Sequence, residues 1–167
     1  MRRQEGFTLL ELVVVIIIFS LLIGVYLRYV RFYQEMAEQA SVTLTLSNIR
    51  TGMAQEWVER ITRHRHHEPV ASLVGSNPVR WLANPPPAYF GEIRDPDPER
   101  MEGAAWYFDL ARQELVYVVN VGNHLEVDGA PGRKLLRWRV GVADNVAENK
   151  AGFGDLVLQS VHNYRWF

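Results

Sequence analysis

The sequence predicts an α+β fold, in which a long N-terminal helix packs on a C-terminal antiparallel sheet of about four strands. Three observations lead to this fold class. Residues 7–27 are almost entirely apolar, residues 42–61 carry an apolar side chain at every third or fourth position, and the apolar period changes to two after residue 104. The first proline is Pro69, so a single helix from about residue 7 to about residue 64 is permitted.

Composition limits the classes of protein that the chain can represent. Its 167 residues suggest one domain and at most two, and a hydrophobic fraction of 48% is enough for a folded core. The net charge of −1 argues against a surface built for general nucleic-acid binding. Because there is no cysteine, disulfides, thiolate metal sites and a cysteine nucleophile are excluded.

The apolar segment at residues 7–27 has the length of a membrane span. Its 21 residues form a helix of about 31 Å, and the hydrocarbon layer of a bilayer is about 30 Å thick. A cleaved secretory signal has a shorter apolar region of about 7–15 residues. The residues that follow suit a membrane interface, because they mix aromatic and basic side chains: Tyr26, Arg28, Tyr29, Arg31, Phe32 and Tyr33.

Glu11 interrupts this apolar segment. No Lys or Arg lies within four residues of it in the same helix, and an ionisable group inside a span costs about 2.5–3.5 kcal/mol on insertion scales. Glu11 therefore lies near an interface and reaches toward water, is protonated, or finds a cation outside its own helix.

The stretch EGFTLLELVVVIII, from Glu5 onward, resembles the class III signal of type IV pilins and type II secretion pseudopilins. The resemblance implies that prepilin peptidase cuts after Gly6 on the cytoplasmic side and that the new N-terminal residue, Phe7, is N-methylated. Glu11 is then the fifth mature residue, which is Glu in that family. The chain would lie in the bacterial inner membrane as a single-pass protein with its C-terminal part in the periplasm, and would later enter a filament.

The resemblance also implies a role for Glu11. Cleavage creates a positive amine at Phe7, and Glu11 could pair with that amine in a neighbouring subunit or in its own chain. Burying either charge alone is costly, so a subunit in the wrong axial register would be penalised. The implied partners are other pilin-like subunits, prepilin peptidase, the inner-membrane assembly platform and the membrane. Major subunits often have a proline near the position of Arg28, so a minor subunit is favoured.

The chain is therefore predicted to have five segments. The amphipathic part of the helix carries one apolar stripe, formed by Val42, Leu46, Ile49, Met53, Trp57 and Ile61. The segments are a leader peptide at 1–6, a transmembrane and assembly helix at 7–27, an amphipathic helix at 28–66, a proline-rich connecting loop at 67–103 and a pilin-like β-sheet head at 104–167.

Within the predicted head, AAWYFDL and ELVYVVNV read as a β-hairpin with alternating apolar residues. Val116 and Val118 lie on the second face of the second strand, which indicates that this strand is central. KLLRWRVGV gives a third strand, and DLVLQSVHNYRWF gives the last one.

Three groups of polar residues suggest other chemistry, and each has a simpler explanation. His64, His66 and His67 invite a metal site, but His and Arg at a helix end also suit the helix dipole. A basic strand face could bind phosphate, although a solvated sheet face is favoured; it comprises Arg133, Lys134, Arg137 and Arg139. Calcium would accept the oxygen ligands of a C-terminal loop, but their spacing matches no loop that we identify; they are Asp144, Asn145, Glu148, Asn149 and Asp155.

We therefore expect a non-enzymatic structural subunit, with no cofactor and no nucleic-acid partner. One alternative is a single-span, membrane-anchored adhesin or binding domain that does not polymerise. Another is a metal-dependent enzyme that uses the histidine cluster. Gly6, Phe7 and Glu11 favour the structural subunit, because neither alternative needs them.

Overall fold

The computed structural model describes residues 8–63, 73–129, 132–143 and 155–167. The chain divides into two compact units, an N-terminal unit of residues 1–37 and a C-terminal unit of residues 38–167.

The helix α1 spans Leu9–Thr62 and has 54 residues. Nothing in its sequence breaks it, because it contains no proline and its two glycines are isolated. The fold class predicted from the sequence is confirmed: a long N-terminal helix is followed by a sheet, and the helix packs on that sheet within the C-terminal unit.

The sheet is larger than predicted and is mixed. It has five strands in the order β1-β2-β3-β5-β6, and a separate two-stranded sheet pairs β4 with β7. The prediction of about four antiparallel strands is corrected on two counts, since there are more strands and since β1 and β2 run parallel. The strands are β1 Tyr89–Ile93, β2 Ala105–Asp109, β3 Glu114–Val118, β4 Leu125–Val127, β5 Leu135–Val142, β6 Leu156–Ser160 and β7 Tyr164–Trp166.

The strand β1 lies in the segment that the sequence indicated as connecting loop. Two short 3-10 helices, Pro78–Trp81 and Pro98–Arg100, flank it. Asn77 orders the first of them, because its side-chain oxygen accepts from the backbone N–H of Val79 at 3.0 Å. Pro78 and Pro98 each begin one of these helical turns, a position where the missing N–H costs nothing.

The main core lies between one face of α1 and the inner face of the five-stranded sheet. The helix contributes four buried residues, Val42, Leu46, Ile49 and Met53. The predicted apolar stripe is thus buried as far as Met53, but Trp57 is 41% exposed. The sheet supplies alternate residues of four strands: Trp106, Phe108, Leu115, Tyr117, Leu136, Trp138, Val140, Leu156 and Leu158.

The outer face of the sheet has a second, smaller core. Val116 and Val118 of β3 are buried there with Tyr107 and Leu135. Ile93 and Met101 pack against this cluster from the segment before β2. Because β3 is bonded to β2 on one side and to β5 on the other, the prediction that it is a central strand is confirmed.

Candidate processing and assembly site

The first turn of α1 carries Glu11, and Thr8 begins that turn. The backbone N–H of Glu11 donates to Thr8 Oγ1 at 3.3 Å, and the N–H of Leu12 donates to the carbonyl oxygen of Thr8 at 3.1 Å. Thr8 is therefore an N-cap residue, and the sequence Thr-Leu-Leu-Glu has the spacing of a capping box. Gly6 and Phe7 lie outside the described residues.

The carboxylate of Glu11 is solvent-exposed. Among residues 8–63, the nearest basic residue along the chain is Arg28, which lies 17 positions away. An acidic side chain in the first helical turn is stabilised by the positive end of the helix dipole. The geometry therefore places a negative group at the third residue of α1, with no intrachain cation near it in the described part of the chain.

The helix around Glu11 exposes its apolar side chains on every side. Leu9, Phe19 and Leu21 are 80%, 61% and 68% exposed. Within the described residues, α1 is the one helix long and apolar enough to cross a membrane, and none of its most apolar 18-residue window is buried. An apolar helix with no polar face needs lipid or other helices around it, so this helix indicates membrane anchoring.

A second site of interest lies where the C-terminal unit begins. Glu38 of α1 receives three hydrogen bonds: the Tyr117 hydroxyl and the Asn120 N–H donate to Oε1 at 2.9 and 2.7 Å, and the Val121 N–H donates to Oε2 at 2.8 Å. Burial raises the pKa of the Tyr117 hydroxyl, and the adjacent Glu38 charge raises it further. The sequence analysis missed Glu38, because nothing in its local pattern distinguishes it from the other acids of the helix.

Lys134 also contacts this loop. Its Nζ donates to the carbonyl oxygen of Leu125 at 2.6 Å and also to that of Gly122. Between β3 and the start of β4, the N–H groups of Asn120 and Val121 therefore donate to a carboxylate. The carbonyl groups of Gly122 and Leu125 accept from an ammonium. Both kinds of bond are charge-assisted and hence stronger than neutral ones.

The four residues of the predicted basic strand face contact different parts of the chain. Arg133 donates to the carbonyl oxygens of Pro98 and Met101, and Lys134 to the loop just described. Arg139 Nη2 lies 2.8 Å from Glu114 Oε1, and Arg137 Nη1 lies 3.7 Å from Glu114 Oε2. All four cations therefore have partners within the chain.

The candidate metal ligands fall mainly outside the described residues. This applies to His64, His66 and His67 and, in the calcium candidate, to Asp144, Asn145, Glu148 and Asn149. Asp155 is described, and its carbonyl oxygen accepts from the Ala143 N–H at 2.9 Å. Within the described ranges, no three His, Asp or Glu side chains are placed to hold a metal ion together.

Comparison with known proteins finds a match at the N-terminus of the chain. The family model described as prokaryotic N-terminal methylation motif matches residues 1–27. The chain carries a class III pilin signal. Neither the curated proteins nor the solved structures include a match to the chain.

The methylation motif covers 27 of the 167 residues and supports a type IV pilin-like precursor, which points to a structural protein. The matched residues include Gly6 and Glu11, the acid inside the apolar segment. Thr8 is the residue of this site that the sequence analysis missed. The signal that could have found it is Thr8-x-x-Glu11 before an apolar run.

Proposed function

We propose that the chain is a structural subunit of a type IV pilus or type II secretion pseudopilus. Prepilin peptidase cleaves it after Gly6, Phe7 is N-methylated, and the apolar helix then packs with those of other pilin-like subunits. The observation that supports this most is the class III signal at residues 1–27, which includes a helical segment that is apolar on all sides.

In this proposal Glu11 pairs with a Phe7 amine inside the assembly. Glu11 is exposed at the start of α1, where a partner from another chain can reach it. A carboxylate and an amine that are buried together offset each other's desolvation, whereas either alone is costly. The pair would therefore select one axial position for an incoming subunit, and Thr8 would hold the turn that carries Glu11.

The proposed location follows from the same features. Before assembly the chain is a single-pass protein of the bacterial inner membrane, with residues 38–167 in the periplasm. The proposed partners are other pilin-like subunits, prepilin peptidase and the inner-membrane assembly platform. A minor subunit is supported by α1, which continues through Arg28 where major subunits often have a proline.

The alternative function is a membrane-anchored adhesin or binding domain that does not polymerise. It uses the same apolar helix but has no need of cleavage at Gly6 or of a free amine at Phe7. Processing therefore separates the two proposals.

The test of the proposal is the intact mass of the chain purified from membranes of a cell that has the peptidase. We expect a mature chain that begins at Phe7, has 161 of the 167 residues, and carries one extra methyl group on its amine. Gly6→Val should keep the leader, because a β-branched residue crowds an extended backbone in a protease cleft.

Gly24→Val is the matched control, since a Cβ added at Gly24 meets no atom of the chain within 4 Å. This variant should mature like the parent. A parent chain that keeps residues 1–6, or a Gly6→Val chain that matures normally, would refute the proposal.

A further inference from the structure

The helix α1 has a face of three tyrosines just after its most apolar part. Tyr26, Tyr29 and Tyr33, which we call the tyrosine face, follow one another by three and four residues and so lie on one side of the helix. They are 67%, 60% and 64% exposed, and together with Val30 they line a shallow groove.

The opposite side of the same turns is basic. At 3.6 residues per turn, Arg28 and Arg31 lie about 200° and 140° around the axis from Tyr26, and both are exposed. Residues 26–33 are therefore amphipathic, although the helix before them is apolar all round.

The position of the tyrosine face along the helix matches the edge of a bilayer. Tyr29 comes 20 residues after Leu9, a distance of about 30 Å along the axis, and the hydrocarbon layer is about 30 Å thick. Tyr26 is then about 4.5 Å inside that boundary and Tyr33 about 6 Å outside it. Tyrosine is enriched at this depth, because its ring is apolar and its hydroxyl is polar.

We infer that the tyrosine face docks on the lipid headgroup region of the membrane before assembly, while Arg28 and Arg31 reach lipid phosphates. Because the three rings lie on one side only, they bring the helix out of the bilayer at a tilt toward that side. A neighbouring helix is a less suitable occupant, since helix contacts in membranes favour small residues that allow close approach. This inference rests on the membrane anchoring in the proposed function.

The absence of cysteine allows a clean test on the full chain with single labels. A fluorophore is attached at Val30→Cys, which lines the groove of the tyrosine face, or at Arg31→Cys on the opposite, basic side. These two positions differ by about 1.5 Å in depth and by about 100° around the axis. The chain is inserted in vesicles of phosphatidylethanolamine and phosphatidylglycerol, and quenching by headgroup-region nitroxide lipids is compared with quenching by iodide in water.

We expect the lipid quencher to act more strongly on the label at position 30, and iodide to act more strongly on the label at position 31. Replacing all three tyrosines by serine should abolish this difference, and replacing them by tryptophan should preserve it. Equal quenching at positions 30 and 31 would overturn the inference. Protection of position 30 from both quenchers would also overturn it, because protein would then cover that face.

A label at Ile18→Cys separates this inference from the proposed function. Strong quenching at position 18 by nitroxides deep in the acyl chains shows that the span is inserted, so an equal result at positions 30 and 31 then contradicts only the tyrosine-face inference. If the label at position 18 is not quenched by lipid, the membrane anchoring itself is wrong and the inference falls with it.

Discussion

Glu38 and Tyr117 join the helix to the central strand of the sheet through a hydrogen bond of 2.9 Å, which the tyrosine hydroxyl donates. The same carboxylate also accepts the backbone N–H groups of Asn120 and Val121. One side chain of α1 therefore fixes both the end of β3 and the loop that follows it. Lys134 donates to the carbonyl oxygens of Gly122 in that loop and of Leu125 at the start of β4.

Glu38→Gln is expected to destabilise the C-terminal unit, because an amide can accept on one atom only and leaves a donor without its partner. A lost bond of this kind costs about 1–3 kcal/mol. The measurement is the free energy of unfolding in urea, and Glu102→Gln, which removes an exposed acid, is the control. In a double-mutant cycle with Tyr117→Phe the two effects should not add. Additive effects would mean that the bond contributes nothing to stability.

Stability at alkaline pH should depend on Tyr117. Burial and the Glu38 charge raise the pKa of its hydroxyl above the ordinary value of 10.0. The unfolded chain therefore loses this proton first, so the stability that the shift contributes is full below pH 10 and declines as the pH rises toward the folded pKa. Tyr117→Phe should make the loss of stability above pH 10 less steep. An unchanged slope would show that the other buried tyrosines account for all of it.

Gly52→Ala should destabilise the chain although alanine is the better helix former. A Cβ at Gly52 would overlap the carbonyl oxygen of Trp81, and overpacking of this kind costs about 1–3 kcal/mol. Helix propensity alone favours alanine by about 1 kcal/mol. Gly24→Ala has no such contact, so only propensity should act there. A gain in melting temperature for Gly52→Ala would contradict the close approach of helix and loop.

A chain that begins at Gln34 should fold and remain soluble without detergent. The residues of α1 that face the sheet are covered within the C-terminal unit, and the exposed apolar span is removed with the first 33 residues. Circular dichroism and size-exclusion chromatography provide the measurement. Aggregation of this shortened chain in mild buffer would show that the C-terminal unit needs the span to fold.

The helix and the main strands could be predicted from the sequence. Side chains that are buried at regular intervals require apolar residues at the same intervals in the sequence. The stripe at Val42, Leu46, Ile49 and Met53 repeats at the helical period, and residues 105–118 alternate at the period of a strand. These patterns come from the elements themselves and need no knowledge of what packs against them.

The missed features depend on distant parts of the chain. The strand β1 has the sequence YFGEI, which contains Gly and Glu among prolines, and it exists through parallel pairing with β2. The strands β4 and β7 have three residues each and pair across a long stretch of chain. The partners of Glu38 are backbone groups of a loop, so no residue type in the sequence marks them.

The candidate site likewise has one part that the sequence indicates and another part that it cannot indicate. Glu11 stands out in the sequence as an acid inside an apolar segment, and it lies among the residues that the methylation motif matches. Its pairing with a Phe7 amine involves another molecule or the mature N-terminus and stays a prediction.

Incorporation of Glu11→Ala into filaments tests the central claim most directly. This variant, the conservative Glu11→Gln and the parent are expressed at equal level, checked for cleavage after Gly6, and compared by cross-linking and shear fractionation. We expect normal insertion and cleavage of Glu11→Ala, since removing a charge makes a span easier to insert.

Assembly of Glu11→Ala should nevertheless fall, because breaking a buried pair costs about 3–5 kcal/mol, which corresponds to a loss of about a hundredfold or more in an assembly equilibrium. Glu11→Gln should fall between Glu11→Ala and the parent, since it keeps a hydrogen bond but not the charge. A Glu11→Ala chain that is cleaved, stable and incorporated like the parent would contradict the account, and Glu11 would then be an interfacial acid with no part in assembly.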